Sequence, residues 1–183
     1  IDGINIKDYK LSNLRKNIGI VLQDVFLFSD TIFNNITLKD DSISLDQVRL
    51  AAKQIGVHDF IMSLPNNYYY NVKERGIMLS SGQRQLIAFL RVYVSNPQIL
   101  ILDEATSSID SSSEILIQNA TEKLTKNRTS LIIAHRLATV KKADNIIVMD
   151  SGNIIEQGSH KELINNIDGY YKKLYDVQFQ LTS

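Results

Sequence analysis

Two adjacent carboxylates, Asp103 and Glu104, end the apolar run Ile99-Leu100-Ile101-Leu102. A continuous apolar run of that length suits a strand covered on both faces, as in a parallel sheet. In open α/β sheets the functional crevice lies beyond the carboxyl ends of the strands. There a first carboxylate can hold a magnesium ion, directly or through water, while the second orients and deprotonates an attacking water. The plainer alternative, one acid capping the next element, fits a lone Asp better than it fits ILILDE followed by ATSSID. A second stretch, LSSGQRQ from Leu79 to Gln85, sets Ser80, Ser81 and Gly82 just before a helical pattern that starts near Gln83. Small residues let a ligand approach the backbone, and a helix N-terminus offers free N–H groups and the positive end of a dipole, which suits phosphate. An ordinary serine cap is the commoner use of such a residue.

The elements that must position these groups alternate in type. Short runs rich in β-branched residues occur at 18–22, 99–102, 130–134 and 145–149, and read as buried strands. Between them lie helical stretches. Leu86, Ile87, Leu90 and Val94 recur at helical spacing until Asn96-Pro97 stops them. Ser111 to Glu114 opens another with a capping-box pattern, followed by Ile115, Leu116, Ala120 and Leu124 on one side. Residues 46–64 are helical in pattern, 145–158 read as a hairpin turning at Asp150-Ser151-Gly152, and 159–179 as two short helices broken at Asp168-Gly169. Strands alternating with helices predict an α/β fold. The interval 25–95, free of buried-strand runs, reads as a helical subdomain inserted between core segments 1–24 and 96–183.

Bulk properties narrow the class. The 183 residues, 44% hydrophobic and 22% charged, suffice for a packed core. Twenty basic and twenty acidic residues cancel, so no whole-chain field draws the protein to nucleic acid. With no cysteine, disulfides and thiolate metal sites are excluded. No apolar run approaches the roughly 18 residues of a spanning helix.

In sequence order, LSSGQRQLIAFLRVYVSNPQILILDEATSSID resembles the signature motif, its helix, the Walker B strand and the D-loop of ATP-binding cassette (ABC) transporter nucleotide-binding domains. VLQD (21–24) is similar to the family's Q-loop, and SLIIAHRL to its switch-histidine strand. VFLFSDTIFNNI resembles the pattern after the Q-loop in exporters whose membrane and ATPase domains share a chain. The resemblance implies an incomplete P-loop NTPase (RecA-like) core binding ATP and Mg2+. Asp103 and Gln23 would meet the metal, Glu104 would polarise the hydrolytic water, Gln23 would also reach that water, and His135 would contact the γ-phosphate. Ser80, Ser81, Gly82 and Gln83 would form the signature surface for nucleotide held by a second nucleotide-binding domain, and Asp110 would lie in the D-loop between the two. Partners would be that second domain and a transmembrane domain, upstream in the same chain, with the ATPase on the cytoplasmic face of the membrane and no nucleic acid involved.

Some features depart from the family pattern. Ser81 stands where the signature has glycine, SSID replaces the commoner SALD, and VKERG (72–76) carries Lys73 where the exporter X-loop has glycine. None of the eight glycines precedes lysine, so the Gly-Lys-Ser/Thr phosphate loop is absent from these residues. With no starting Met, the chain is expected to be a C-terminal fragment, inactive alone and with apolar sheet faces left uncovered. Two alternatives are a soluble ABC ATPase acting on DNA or ribosomes, and a non-catalytic cassette partner. Coiled-coil or basic segments would mark the first, and loss of Glu104 or His135 the second; this sequence has neither mark.

Overall fold

The computed structural model describes residues 1–103, 111–134 and 137–182. Two compact units divide the chain, one over 1–133 and the other over 134–183. The first opens with α1 (Leu11–Asn17) and β1 (Ile18–Val21), then passes through α2 (Ile32–Thr37), α3 (Leu45–Ile55), α4 (His58–Met62) and α5 (Ser81–Ser95). It closes with β2 (Ile99–Asp103), α6 (Ser111–Thr125) and β3 (Thr129–Ile133). β1, β2 and β3 form one parallel sheet in that order, with Val21 opposite Leu102 and Asp103 opposite Ile133.

One face of this sheet is packed. Val21, Leu100 and Leu102 are buried in a core shared with Leu86, Ile87, Phe89 and Leu90 of α5 and Ile117, Ala120 and Leu124 of α6. On the other face Ile20, Leu131 and Ile133 are each more than half exposed. Among the described residues of 1–133, α5 and α6 pack on the same face, so the strands are not covered on both faces there, and the other face keeps the exposed apolar residues expected where part of the covering lies outside this stretch. The phase of α6 is also corrected. Ile115 is 62% exposed and Ile117 only 5%, so the buried stripe runs Ser113, Ile117, Ala120, Thr121, Leu124. Ser111 is already helical, which removes it as the residue preceding the helix.

Between β1 and β2 the elements are helical and more broken than the sequence pattern suggests. α3 ends at Gly56 in the left-handed region, and α4 is a separate turn and a half. α2 is short and held by its termini. The Thr31 hydroxyl caps it by accepting from Asn34 N–H at 3.1 Å. Asp30 accepts from Thr31 N–H at 2.7 Å and Asn34 Nδ2 at 2.8 Å, and pairs with Lys39 at 3.0 Å. The Thr31 amide first, then Asn34 and Lys39, hold the Asp30 carboxyl at about 2 against an ordinary 3.8. A depressed folded-state pKa stabilises above the unfolded value, and that stability fades as pH falls through the folded one. Asp30→Asn should therefore cost about 1 kcal/mol at neutral pH, allowing for solvent screening. Melts at stepped pH should show the gap from wild type closing between about 4 and about 2.

In the second unit, α7 (Leu137–Val140) precedes an antiparallel hairpin, β4 (Ile146–Asp150) with β5 (Asn153–Gly158). Ser151 and Gly152 turn it with φ of 49° and 81°, the two positive values that a type I′ turn requires. β4 buries Ile146 and Val148 but exposes Ile147 and Met149, so it is a one-sided hairpin strand rather than part of the parallel sheet. α8 (His160–Ile164) and α9 (Tyr170–Thr182) follow, with Leu163 and Tyr171 completing this small core. Glu156 fixes the break between them, accepting from Asn166 Nδ2 at 3.0 Å and Tyr171 N–H at 2.7 Å. Among the described residues no helix is long and apolar enough to cross a membrane.

Candidate nucleotide site

Parallel strands bring Asp103 and Gln23 to one edge. Asp103 is the last residue of β2, and Gln23 lies two residues beyond the end of β1, whose Val21 is level with Leu102. β3, the strand leading to His135, ends beside Asp103. Asp103 is half-buried and Gln23 exposed, and both stand at the carboxyl edge of the parallel sheet, where such folds bind ligands. Two oxygen donors are far too few for an all-protein cage. They suit Mg2+, which keeps several waters and takes other ligands from substrate phosphates. Glu104, Asp110 and His135 lie outside the described residues.

The signature residues sit at the head of α5. Ser80 is its N-cap rather than a residue lying before a later start: Gln83 N–H donates to Ser80 Oγ at 3.2 Å, and Ser80 N–H donates to Gln83 Oε1 at 3.0 Å. This reciprocal box moves the helix start from near Gln83 to Ser81. The cap and the phosphate surface are thus compatible, because the box spends acceptors on Ser80 and Gln83 while the first turn of a helix leaves further N–H groups without intrahelical partners. Ser81 is helical with negative φ, so its position makes no conformational demand for glycine. The family's Ser-for-Gly departure costs the backbone nothing there. Gly82 is buried within the first turn.

Lys73 is a different case. Its φ of 60° and ψ of −170° fall in a region that is essentially glycine's alone. Neighbouring pairings force it there. Val72, fully buried, donates its N–H to Asp30 O, and Asn71 bridges Thr31 on the same side. Three residues later Gly76, with φ 71°, is pressed so close to Leu27 that an added Cβ would sit 2.9 Å from its Cδ1. The loop between these anchors keeps the path of a glycine although lysine occupies it. Lys73→Gly should stabilise the intact protein by about 1 kcal/mol, the relief of 1–3 kcal/mol of strain being partly offset by a more flexible unfolded chain. A melting temperature a few degrees above wild type would bear this out.

Two further residues, neither given a role from the sequence, meet beside this site. Asn35 on α2 is fully buried: it accepts from Phe28 N–H at 2.8 Å and donates to the Phe28 and Thr31 carbonyls, both at 3.0 Å. Arg91 on α5 donates from Nε to Asn35 O at 2.8 Å and from Nη2 to Phe26 O at 3.3 Å. Burial pulls the Arg91 pKa down. Asn35 lies in the VFLFSDTIFNNI pattern noted in the sequence, which gave it no role, and a lone Arg in an apolar helix carries no motif on its own.

A parallel sheet with a carboxylate at its carboxyl edge, and a capped helix headed by LSSGQ packed on it, are the features expected of a nucleotide-binding α/β domain. The ABC transporter family model matches residues 1–107. The chain belongs to the ABC transporter family. It is 49% identical over 178 residues to the "Putative multidrug export ATP-binding/permease protein YgaD" of Bacillus subtilis, covering 97% of this chain and 30% of that protein. A protein of the same description from Staphylococcus aureus is 50% identical over 178 residues, covering 97% of this chain and 31% of that protein. Among solved structures, a bacterial Atm1-family ABC exporter with ATP bound superposes with a TM-score of 0.86 at 42% identity, covering 97% of this chain and 31% of that one. The fold is that of an ABC exporter nucleotide-binding domain, a P-loop NTPase fold. The chain spans about 30% of the length of the curated relatives it matches.

Proposed function

We propose that residues 1–183 are part of the ATP-binding and hydrolysing domain of an ABC exporter, coupling ATP-driven closure of two such domains to transport across a membrane. The observation that carries this is the placing of Asp103 and Gln23 at one carboxyl edge of the sheet, with LSSGQ capping α5 in the same unit. Asp103 and Gln23 would hold Mg2+, which when bound neutralises phosphate charge. Glu104 takes a proton from the attacking water, and His135 donates to the γ-phosphate. Ser80, Ser81, Gly82 and Gln83 present hydroxyl and N–H groups to nucleotide held by the second domain, with Asp110 between the two.

On this reading 1–24 and 96–183 belong to the RecA-like core, and 25–95 is the helical subdomain. The transmembrane domain lies in the same chain, and the ATPase works at the cytoplasmic face. Because no Gly-Lys-Ser/Thr loop occurs within residues 1–183, this stretch expressed alone should neither bind nor hydrolyse Mg-ATP appreciably. The test is steady-state hydrolysis by the full-length protein, with and without Mg2+. Mg-dependent turnover supports the reading, and a purified, folded protein without turnover refutes it.

A further inference from the structure

The segment that leaves Gln23 is pinned in an unusual way. Loops normally run free over a surface, yet residues 26–31 are bonded on both sides. Phe28 gives its N–H and its carbonyl to one side chain, that of Asn35, which is itself fully buried. Leu27, between the two phenylalanines, is fully buried in the main core. The Phe26 carbonyl and the Asn35 carbonyl are both taken by Arg91, which belongs to α5 and is 56 residues from Asn35 in sequence. The Asn35 carbonyl lies in the last turn of α2, where carbonyls lack intrahelical partners and a cation is favoured by the helix dipole. Arg91 thus satisfies an orphan group, neutralises a helix end and grips the loop with one planar fork. Its charge is met by backbone carbonyls rather than by a carboxylate among the described residues.

We propose that Arg91, with Asn35, locks residues 26–37 to α5, so that the loop leaving Gln23 and the Ser80–Gln83 cap move as one body, making Arg91 a positioning residue for the nucleotide site. The inference rests on the ATPase reading above. Its chemistry requires the fork. Lysine carries the same charge but is a point donor on a flexible stem, and cannot reproduce two fixed bonds to two carbonyls. The network is fully buried at Asn35 and satisfied, the condition under which polar clusters rigidify a fold rather than weaken it. Outside it, the Phe26 and Phe28 rings stand edge to face at 5.1 Å and more than half exposed, so a push on them is transmitted through a backbone that cannot yield locally.

Arg91→Lys in the full-length protein tests the lock, by measuring melting temperature, Mg-ATP affinity and turnover on one preparation. The expected result is affinity within twofold of wild type, a melting temperature lowered by no more than a few degrees, and turnover reduced at least tenfold. A merely structural role would lower melting temperature and turnover together while leaving turnover per folded molecule unchanged, and that result overturns the proposal. So does turnover within twofold of wild type. If wild type itself fails to hydrolyse Mg-ATP, the ATPase reading falls and takes the inference with it; a hydrolysing wild type beside an equally active Arg91→Lys sinks the inference alone. Should Arg91→Lys not fold, hydrogen exchange on wild type decides. Peptides covering 26–37 and 79–91 should change protection together when Mg-ATP is added, and independent changes would contradict the lock.

Discussion

Full-length protein carrying Glu104→Gln should bind Mg-ATP as tightly as wild type and hydrolyse it about 10²–10⁴ times more slowly, the range lost with a general base. The argument starts from β2. Its last residue, Asp103, ends a strand buried at Leu100 and Leu102 and stands at the edge where β1 delivers Gln23. On the proposed reading, the carboxylate next in sequence takes the proton from water attacking a phosphate bound at that edge. Glutamine keeps the shape and hydrogen-bonding capacity but cannot accept the proton. Closure of two domains over nucleotide should survive, so the variant should accumulate as an ATP-bound dimer visible by size. Near wild-type turnover would remove Glu104 from the chemistry.

Ser80→Asp should leave the melting temperature within a degree or two and reduce turnover by about 10²–10³. The capping box makes this variant informative. Aspartate caps a helix about as well as serine, so the bond from Gln83 N–H should persist and α5 should keep its start at Ser81. The new carboxylate, however, would face the γ-phosphate of nucleotide held by the other domain. Two like unit charges about 4 Å apart repel by about 4 kcal/mol at the effective dielectric of a protein surface, which is of the order of a thousandfold in closure. If Ser80 were a cap and nothing more, the same variant would be silent in both measurements.

The parts of the fold that sequence spacing revealed are those whose causes are local. The strands at 18–21, 99–103 and 129–133 follow from β-branched runs, and α5 ends at Asn96 because the chain turns left-handed there ahead of Pro97. The turn after Asp150 follows from Gly152, which takes positive φ freely, while Ser151 is carried into that region beside it. The candidate residues Gln23, Asp103 and Ser80–Gln83 stand out by type and order alone, and the strand register and the cap of α5 give their positions. What escaped depends on distant partners. The burial of Ile117 in place of Ile115 is decided by where α6 meets α5, and the one-sided burial of β4 by its pairing with β5. Lys73 was marked in the sequence as standing at a glycine position, but that it keeps the glycine conformation is set by Val72 and Gly76, anchored by residues some 40 or more positions away, at Asp30 and Leu27. Arg91 and Asn35 meet across 56 residues, and no spacing rule reaches so far.

Mixing the two variants above tests the central claim, that each nucleotide is held by one chain's Asp103 and Glu104 and completed by the other chain's Ser80–Gln83. Take co-expressed full-length chains in which one carries Glu104→Gln and the other Ser80→Asp, and measure steady-state ATP turnover. In a twofold dimer with shared sites, each mixed pair gathers both defects into one site and leaves the other intact. Random pairing should then restore turnover above that of either variant alone, to at most about a quarter of wild type because one like-charge contact per mixed pair still opposes closure. If each site is built within a single chain, every site in the mixture carries one defect, and turnover stays at the level of the variants alone.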